Sequence, residues 1–173
     1  MNLITKKRII ISTILLAISI AIISGLYIRS PASREAAPNM TLSLLDGTKP
    51  KLADYQGRVV LISFWSVSCK ICIEEMPHLN ALHKKLDKKG LAIIGLNMPY
   101  DRPDWTVSFA KKQPILYPVS FDLKGEISRA FGGILATPTT VLIDKRGKIV
   151  WKKVGRNNFE NLEKQIITLI KET

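Results

Sequence analysis

Apolar and polar positions along this chain change period several times, and each change predicts an element. From Ile9 to Ile28 no charged residue occurs. Twenty helical residues at ~1.5 Å each span the roughly 30 Å hydrocarbon core of a bilayer, so residues 9–28 are predicted to cross a membrane. Met40 to Leu44 alternates with a strand period, Asp46-Gly47 is a tight-turn signal, and Leu52 to Tyr55 leads into Gly57, which predicts an N-terminal β-hairpin. Val59 to Trp65 is β-branched and almost wholly apolar, as for a central strand buried on both faces. From Lys70 to Lys89 the period becomes helical, with Met76, Leu79, Leu82 and Leu86 on one face and four lysines at the far end. Pro77 inside that helix removes a donor and predicts a kink.

Leu91 to Leu96 reads as a second buried strand, and Asp101, with Asp104 three residues on, as the cap of a helix running to about Lys112. Tyr117 to Phe121 and Glu126 to Phe131 follow as a short strand and a short helix. Thr139 to Ile143 is another strand, and Lys145-Arg146-Gly147 turns it back into Lys148 to Val154. Asn158 caps a last helix whose buried face is Phe159, Leu162, Ile166 and Leu169. Two parallel βα units, a hairpin and a closing helix predict an α/β domain with a mixed central sheet and helices on both faces. The expected organisation is a basic tail at 1–8, a transmembrane signal anchor at 9–28, a linker at 29–38 rich in Pro, Ser and Ala, and one folded domain at 39–173.

Charge orients this plan. Lys6, Lys7 and Arg8 precede the apolar run, so the positive-inside bias keeps residues 1–8 in the cytoplasm and sends the domain outside. A cleaved signal peptide usually has a shorter apolar region closed by a small-x-small site, which this run lacks. A lipoprotein is excluded because no cysteine lies near the end of the run. The formal charge of the 173 residues is +12; without the three basic residues before the anchor, 23 Lys and Arg face 14 Asp and Glu, a net of +9. That balance suits acidic partners or anionic lipid as well as plain solubility. No arginine–aromatic array points to nucleic acid.

The only two cysteines, Cys69 and Cys72, sit where the central strand gives way to the helix. A Cys-x-x-Cys spacing lets two sulfurs join across one helical turn. A helix N-terminus offers unpaired N–H groups and a positive dipole end that favour a thiolate, so Cys69, the outer sulfur, is the expected nucleophile. As a mere staple, a ring of about four residues would contribute only ~2 kcal/mol. Zinc would need His78 and His83 as further ligands, but on one helix these lie about 9 and 16 Å from Cys72. Thiol–disulfide exchange is the chemistry that the pattern fits, and outside the cytoplasm such a pair needs a source of electrons to stay reduced.

Phe64-Trp65 before Cys69-x-x-Cys72, then Glu75-Met76-Pro77, then Thr137-Pro138-Thr139-Thr140 at the head of a late strand, resemble the membrane-anchored thioredoxin-like proteins of the TlpA, ResA and CcmG type. The resemblance covers Asn39 to the C-terminus and implies a thioredoxin fold and an extracytoplasmic thiol–disulfide oxidoreductase, often serving cytochrome c maturation. It implies a bacterial inner-membrane, single-pass protein, disulfide-bearing protein substrates such as apocytochrome c, a membrane electron donor of the CcdA/DsbD type, and no cofactor beyond the redox-active disulfide. By position it makes Glu75 the active-site glutamate that accepts the Cys72 proton; the alternative is a carboxylate that merely stabilises the helix start. It makes Pro138 a cis proline facing the cysteines, with Thr137 and Trp65 on the substrate side.

Some residues depart from the family pattern. Ser63 stands where thioredoxins proper carry a buried aspartate, Lys70 and Ile71 replace the usual proline between the cysteines, and Ser68 replaces a tryptophan. Lys70 should further stabilise the Cys69 thiolate and make the pair more oxidising. A disulfide oxidase or isomerase using the same cysteines is therefore the first alternative. A Cu(I) chaperone would be expected to show a longer cysteine spacing and a distant histidine, and a peroxidase a proline and threonine before its cysteine; this chain supplies neither set. Trp105 and Trp151 read as packing or exposed surface rather than a substrate platform.

Overall fold

A computed structural model describes residues 14–20 and 34–172. Residues 14–20 are helical, with Ile14, Leu15, Leu16, Ile18 and Ile20 exposed. The rest of the expected anchor and the basic tail lie outside the described residues, among which no helix is long and apolar enough to cross a membrane. The compact unit runs from Glu35. It therefore starts four residues before the expected Asn39. Residues 35–37 are not free linker: Ile149 N–H donates to Glu35 O and Ala37 N–H to Gly147 O.

The sheet has six strands: β1 (Ser43–Leu44), β2 (Val59–Trp65), β3 (Leu91–Asn97), β4 (Val119–Phe121), β5 (Thr139–Ile143) and β6 (Ile149–Val154). Their order is β1-β4-β3-β2-β5-β6, with β2, β3 and β4 parallel and β1, β5 and β6 antiparallel to their neighbours. The helices are α1 (Lys70–Leu86), α2 (Pro103–Lys112), α3 (Glu126–Ala130) and α4 (Phe159–Lys171). The mixed sheet and its helices match the sequence expectation.

Strand alternation decides what each face buries. Val60, Ile62 and Phe64 of β2 face a cluster with Leu42, Leu52, Ile127, Phe131 and Ile134, where Phe131 meets Phe64 edge-on at 5.7 Å. Val59 and Leu61 face the other cluster, built with Leu79, Leu82 and Leu86 of α1 and Leu162, Ile166 and Leu169 of α4. β2 is buried along its whole length because it lies between β3 and β5 with cover on both faces.

Two local expectations change. The N-terminal β-hairpin is short and irregular rather than a regular two-stranded ladder. β1 spans two residues and ladders with β4 on one side; on the other, the return arm is joined by Leu44 N–H to Thr48 O, Leu42 N–H to Pro50 O and Leu52 N–H to Met40 O, with one bridge at Thr41 and Lys51, before Leu52–Tyr55 forms a 3-10 turn that buries Leu52. Pro50, which cannot donate to a ladder, sits at the foot of that arm. The α2 cap is not Asp101 either: Arg102 holds the cap position, Pro103 opens the helix, and Asp101 turns into the protein. At the other end of the preceding βα unit, α1 passes into a 3-10 turn over Asp87–Lys89 and stops at Gly90, whose φ of +110° favours glycine.

Replacing Ile166 of α4, which is fully buried against the sheet, by alanine should destabilise the domain by about 2–5 kcal/mol, read as a lower urea midpoint with an unchanged slope. Leu135→Ala, at a side chain 95% exposed, should move the midpoint by no more than about 0.5 kcal/mol.

Candidate active site

β2, apolar except for the buried Ser63, delivers the chain at the C-terminal end of the parallel strands, where α1 begins. Cys69 is the N-cap of α1, and its Sγ accepts the Cys72 N–H at 3.2 Å. Sulfur thus takes the place that a serine or aspartate oxygen usually holds at a helix start. The two cysteines are joined, with S–S 2.07 Å and Cα–Cα 5.3 Å. Their surroundings differ: Cys69 is partly exposed beside the exposed Lys70, whereas Cys72 is 3% exposed and packs with Trp65, Met76 and Val119.

Glu75, one turn beyond Cys72, is also buried. One carboxylate oxygen accepts the Asn157 N–H at 2.5 Å and the other the Asn157 Nδ2 at 3.2 Å; the same amide donates to Thr140 Oγ1 at 2.8 Å. Burial pushes the Tyr117 phenol far up, and the nearby Glu75 charge pushes it further. Glu74 points outward and pairs with Arg156; that hydrogen bond holds its carboxyl below the usual range.

The Thr137-Pro138 peptide is cis. Pro138 is buried and heads β5, which lies beside β2, while Thr137 is partly exposed and its Oγ1 lies 3.3 Å from the exposed Tyr100 hydroxyl. Pro138 O accepts the Gly155 N–H at 2.8 Å. Trp65 does not fit its expected place on the substrate side. Its ring is 2% exposed and stands under the cysteine turn against Phe109, so it offers no face to an incoming chain. On the adjacent β3, a Cβ on Gly95 would come within 3.1 Å of both Trp65 Nε1 and the Tyr117 ring, so a side chain there would have to push one of these rings aside by a few tenths of an ångström. Trp105 is exposed under the Arg102 guanidinium, and Trp151 Nε1 donates to Gln165.

Sequence reading missed a polar network below the cysteine turn. Asp101 Oδ1 accepts Ser66 Oγ–H at 2.8 Å, and Oδ2 accepts Val67 N–H at 2.8 Å and Asn97 Nδ2–H at 2.7 Å; Asn97 Oδ1 in turn accepts the Thr106 hydroxyl at 2.9 Å. Ser66 Oγ also meets Ser68 Oγ and N–H, and Ser66 O accepts Cys69 N–H. One buried carboxylate therefore ties the turn that presents Cys69 to the end of β3 and to α2. The available signal was positional: Asn97 and Asp101 follow a strand parallel to the cysteine strand, and such strand ends converge. Asn157 carried no local signal. Among the described residues no cluster of three or more His, Cys, Asp or Glu is placed to hold a metal.

Comparison with known proteins agrees with this geometry. The AhpC/TSA family profile matches residues 34–152. The thiol-disulfide oxidoreductase ResA of Bacillus thuringiensis subsp. konkukian is 38% identical over 131 residues, 75% of this chain and 74% of that protein. The ResA of Geobacillus thermodenitrificans is 30% identical over 163 residues, 92% of each. A crystal structure from Chlorobium tepidum assigned as a thiol:disulfide interchange protein DsbE superposes with a TM-score of 0.74 at 31% identity, covering 82% of this chain and 99% of that one. A solution structure assigned as a thioredoxin from Neisseria meningitidis gives 0.74 and 31%, covering 81% and 93%.

Asp101→Ala would leave the Val67 N–H and the buried Asn97 amide without their acceptor. At about 1–3 kcal/mol per unpaired buried group, it should lower stability by ~3 kcal/mol in urea unfolding. Glu74→Gln, which breaks only an exposed pair, should leave the midpoint where it is.

Proposed function

The chain belongs to the AhpC/TSA family and is a thiol–disulfide oxidoreductase of the ResA type with a thioredoxin-like fold, and from that premise we propose that it reduces disulfides of selected extracytoplasmic proteins. The observation that carries the reading is the asymmetry of the pair. Cys69 lies partly exposed at a helix start, while Cys72 is buried one helical turn before the buried Glu75.

In the reduced protein the helix N-terminus and Lys70 favour the Cys69 thiolate. It attacks a substrate disulfide, forming a Cys69–substrate bond and expelling one substrate thiolate. Cys72 then gives its proton to Glu75 and attacks Cys69 Sγ; the Cys69–Cys72 bond forms, the mixed disulfide breaks, and the second substrate sulfur leaves as thiolate and takes a proton. Two electrons pass from the dithiol to the substrate. Thr137, partly exposed beside the buried Pro138, is the residue whose backbone would pair with an extended substrate segment by strand addition.

The wider setting is proposed on the same footing. Residues 9–28 serve as a single-pass anchor in a bacterial cytoplasmic membrane, with the domain on the outer side. Electrons come from a membrane donor of the CcdA/DsbD type, and apocytochrome c is among the substrates. The apolar run and the three basic residues Lys6, Lys7 and Arg8 before it support this topology. Lys70 favours the competing direction, an oxidase or isomerase, because it stabilises the reduced state.

The reduction potential of the full-length chain in graded thiol buffers separates the two. A value near or below about −250 mV is expected for a reductant, whereas one above roughly −180 mV would make the protein an oxidase or isomerase. In membranes, Cys72→Ser should accumulate mixed disulfides through Cys69 and Cys69→Ser should not; an empty trap would count against a protein substrate.

A further inference from the structure

We propose that Gly155, Arg156 and Asn157 form a bracket across the buried side of the redox site, in which Asn157 is a positioning residue that holds the Glu75 carboxylate ready for the Cys72 proton. This rests on Glu75 being that proton's acceptor, as argued above.

Three consecutive residues each reach a different part of the site. Gly155 N–H donates to Pro138 O, Arg156 pairs with Glu74 at the surface, and Asn157 grips Glu75 with both its backbone and its side-chain nitrogen. The Asn157 amide has two N–H donors, and both are used, one on Glu75 and one on Thr140 Oγ1. Its orientation is thereby fixed, since the flipped amide would set an oxygen against a carboxylate. Gly155, at φ +89°, supplies the left-handed turn that brings the next two residues down onto α1.

A carboxylate 2% exposed has little water to solvate it, so protein donors take the place of that water. Asn157 supplies two of them, one to each oxygen. The charged and titratable groups around Glu75 are Cys72 and Glu74 on α1, Arg156 in the bracket, and the buried Tyr117 ahead of β4. None of the other three takes the place of the paired donors: Glu74 is turned outward onto Arg156, and the Tyr117 phenol stays neutral. During the resolving step the Cys72 proton moves to an oxygen held by Asn157, the Cys72–Cys69 bond forms and the Cys69–substrate bond breaks.

The test mixes the reduced full-length chain with an aromatic disulfide, dithiobis-nitrobenzoate, in a stopped-flow instrument between about pH 5 and 9. Attack by Cys69 releases the first coloured thiolate, and closure by Cys72 releases the second. Asn157→Ala should slow the second phase and move its acid limb up by about one pH unit. Asn157→Ser, which keeps a hydroxyl donor, should fall between Asn157→Ala and the parent, and Asn157→Asp should move the limb furthest because it sets a second carboxylate against Glu75. The first phase should stay within about two-fold throughout, and in a Glu75→Gln background the Asn157 changes should have no further effect. If Asn157→Ala does not fold, the order of the serine and aspartate variants decides. A second phase that Glu75→Gln leaves unchanged would refute the proton-acceptor reading itself. A phase that Glu75→Gln slows, but that the Asn157 series does not shift in this order, would overturn the bracket alone.

Discussion

The contact between the Cys72 amide and the Cys69 sulfur is the one on which the site depends. It makes the nucleophile the capping atom of its own helix, so the local fold and the reactivity of the thiol share one hydrogen bond. When the disulfide opens, the same N–H and the helix dipole face a sulfur free to carry charge. The asymmetry of the pair follows from this placement. The cap position lies at the rim, and three residues later the helix has turned Cys72 into the cluster of Trp65, Met76 and Val119.

Holding a cap residue in place requires a firm turn before it, and here polar groups supply the firmness. An apolar core grips side chains through many weak contacts but does not orient backbone N–H groups. Asp101 does so by accepting from Val67 and Ser66 while being held by Asn97, which Thr106 holds in turn. Burying that carboxylate is favourable only because its oxygens are met by donors, and removing one member leaves the others exposed to the same penalty. Glu75 follows the same rule on the far side of α1, with Asn157 as its donor.

Legibility in the sequence tracked the range of the interactions. Val59–Trp65 and Thr139–Ile143 were readable to the residue because a run of mostly apolar and β-branched residues, with only the small Ser63, Thr139 and Thr140 as buried polar members, suits a strand buried on both faces. Cys69, Cys72 and Glu75 were readable because spacing along one helix fixes their relations. Trp65 was placed on the wrong side because its direction depends on which face of β2 meets α1 and α2, a question of packing. Asp101 has the residue type of a helix cap, but Arg102 holds that position and Pro103 opens the helix without a side-chain cap. Asn157 lies 82 residues from Glu75, and nothing in its own neighbourhood announces the contact. Near the N-terminus the pairing of adjacent segments is local, whereas the second partner of β1, the distant β4, is a matter of long-range packing.

The pairing of residues 35–37 with the β5–β6 turn gives the domain a polarity of its own. The chain enters beside Gly147, past the end of β5, whereas Pro138 marks the start of that strand and the cysteines follow the opposite end of β2. Five residue steps along β2 from Val60 to Trp65, at ~3.3 Å each, put roughly 17 Å of sheet between the point of entry and the sulfurs. Residues 35–37 and the cysteine turn thus load opposite ends of one strand pair, so a change in how the first is held reaches the second only through the length of the sheet.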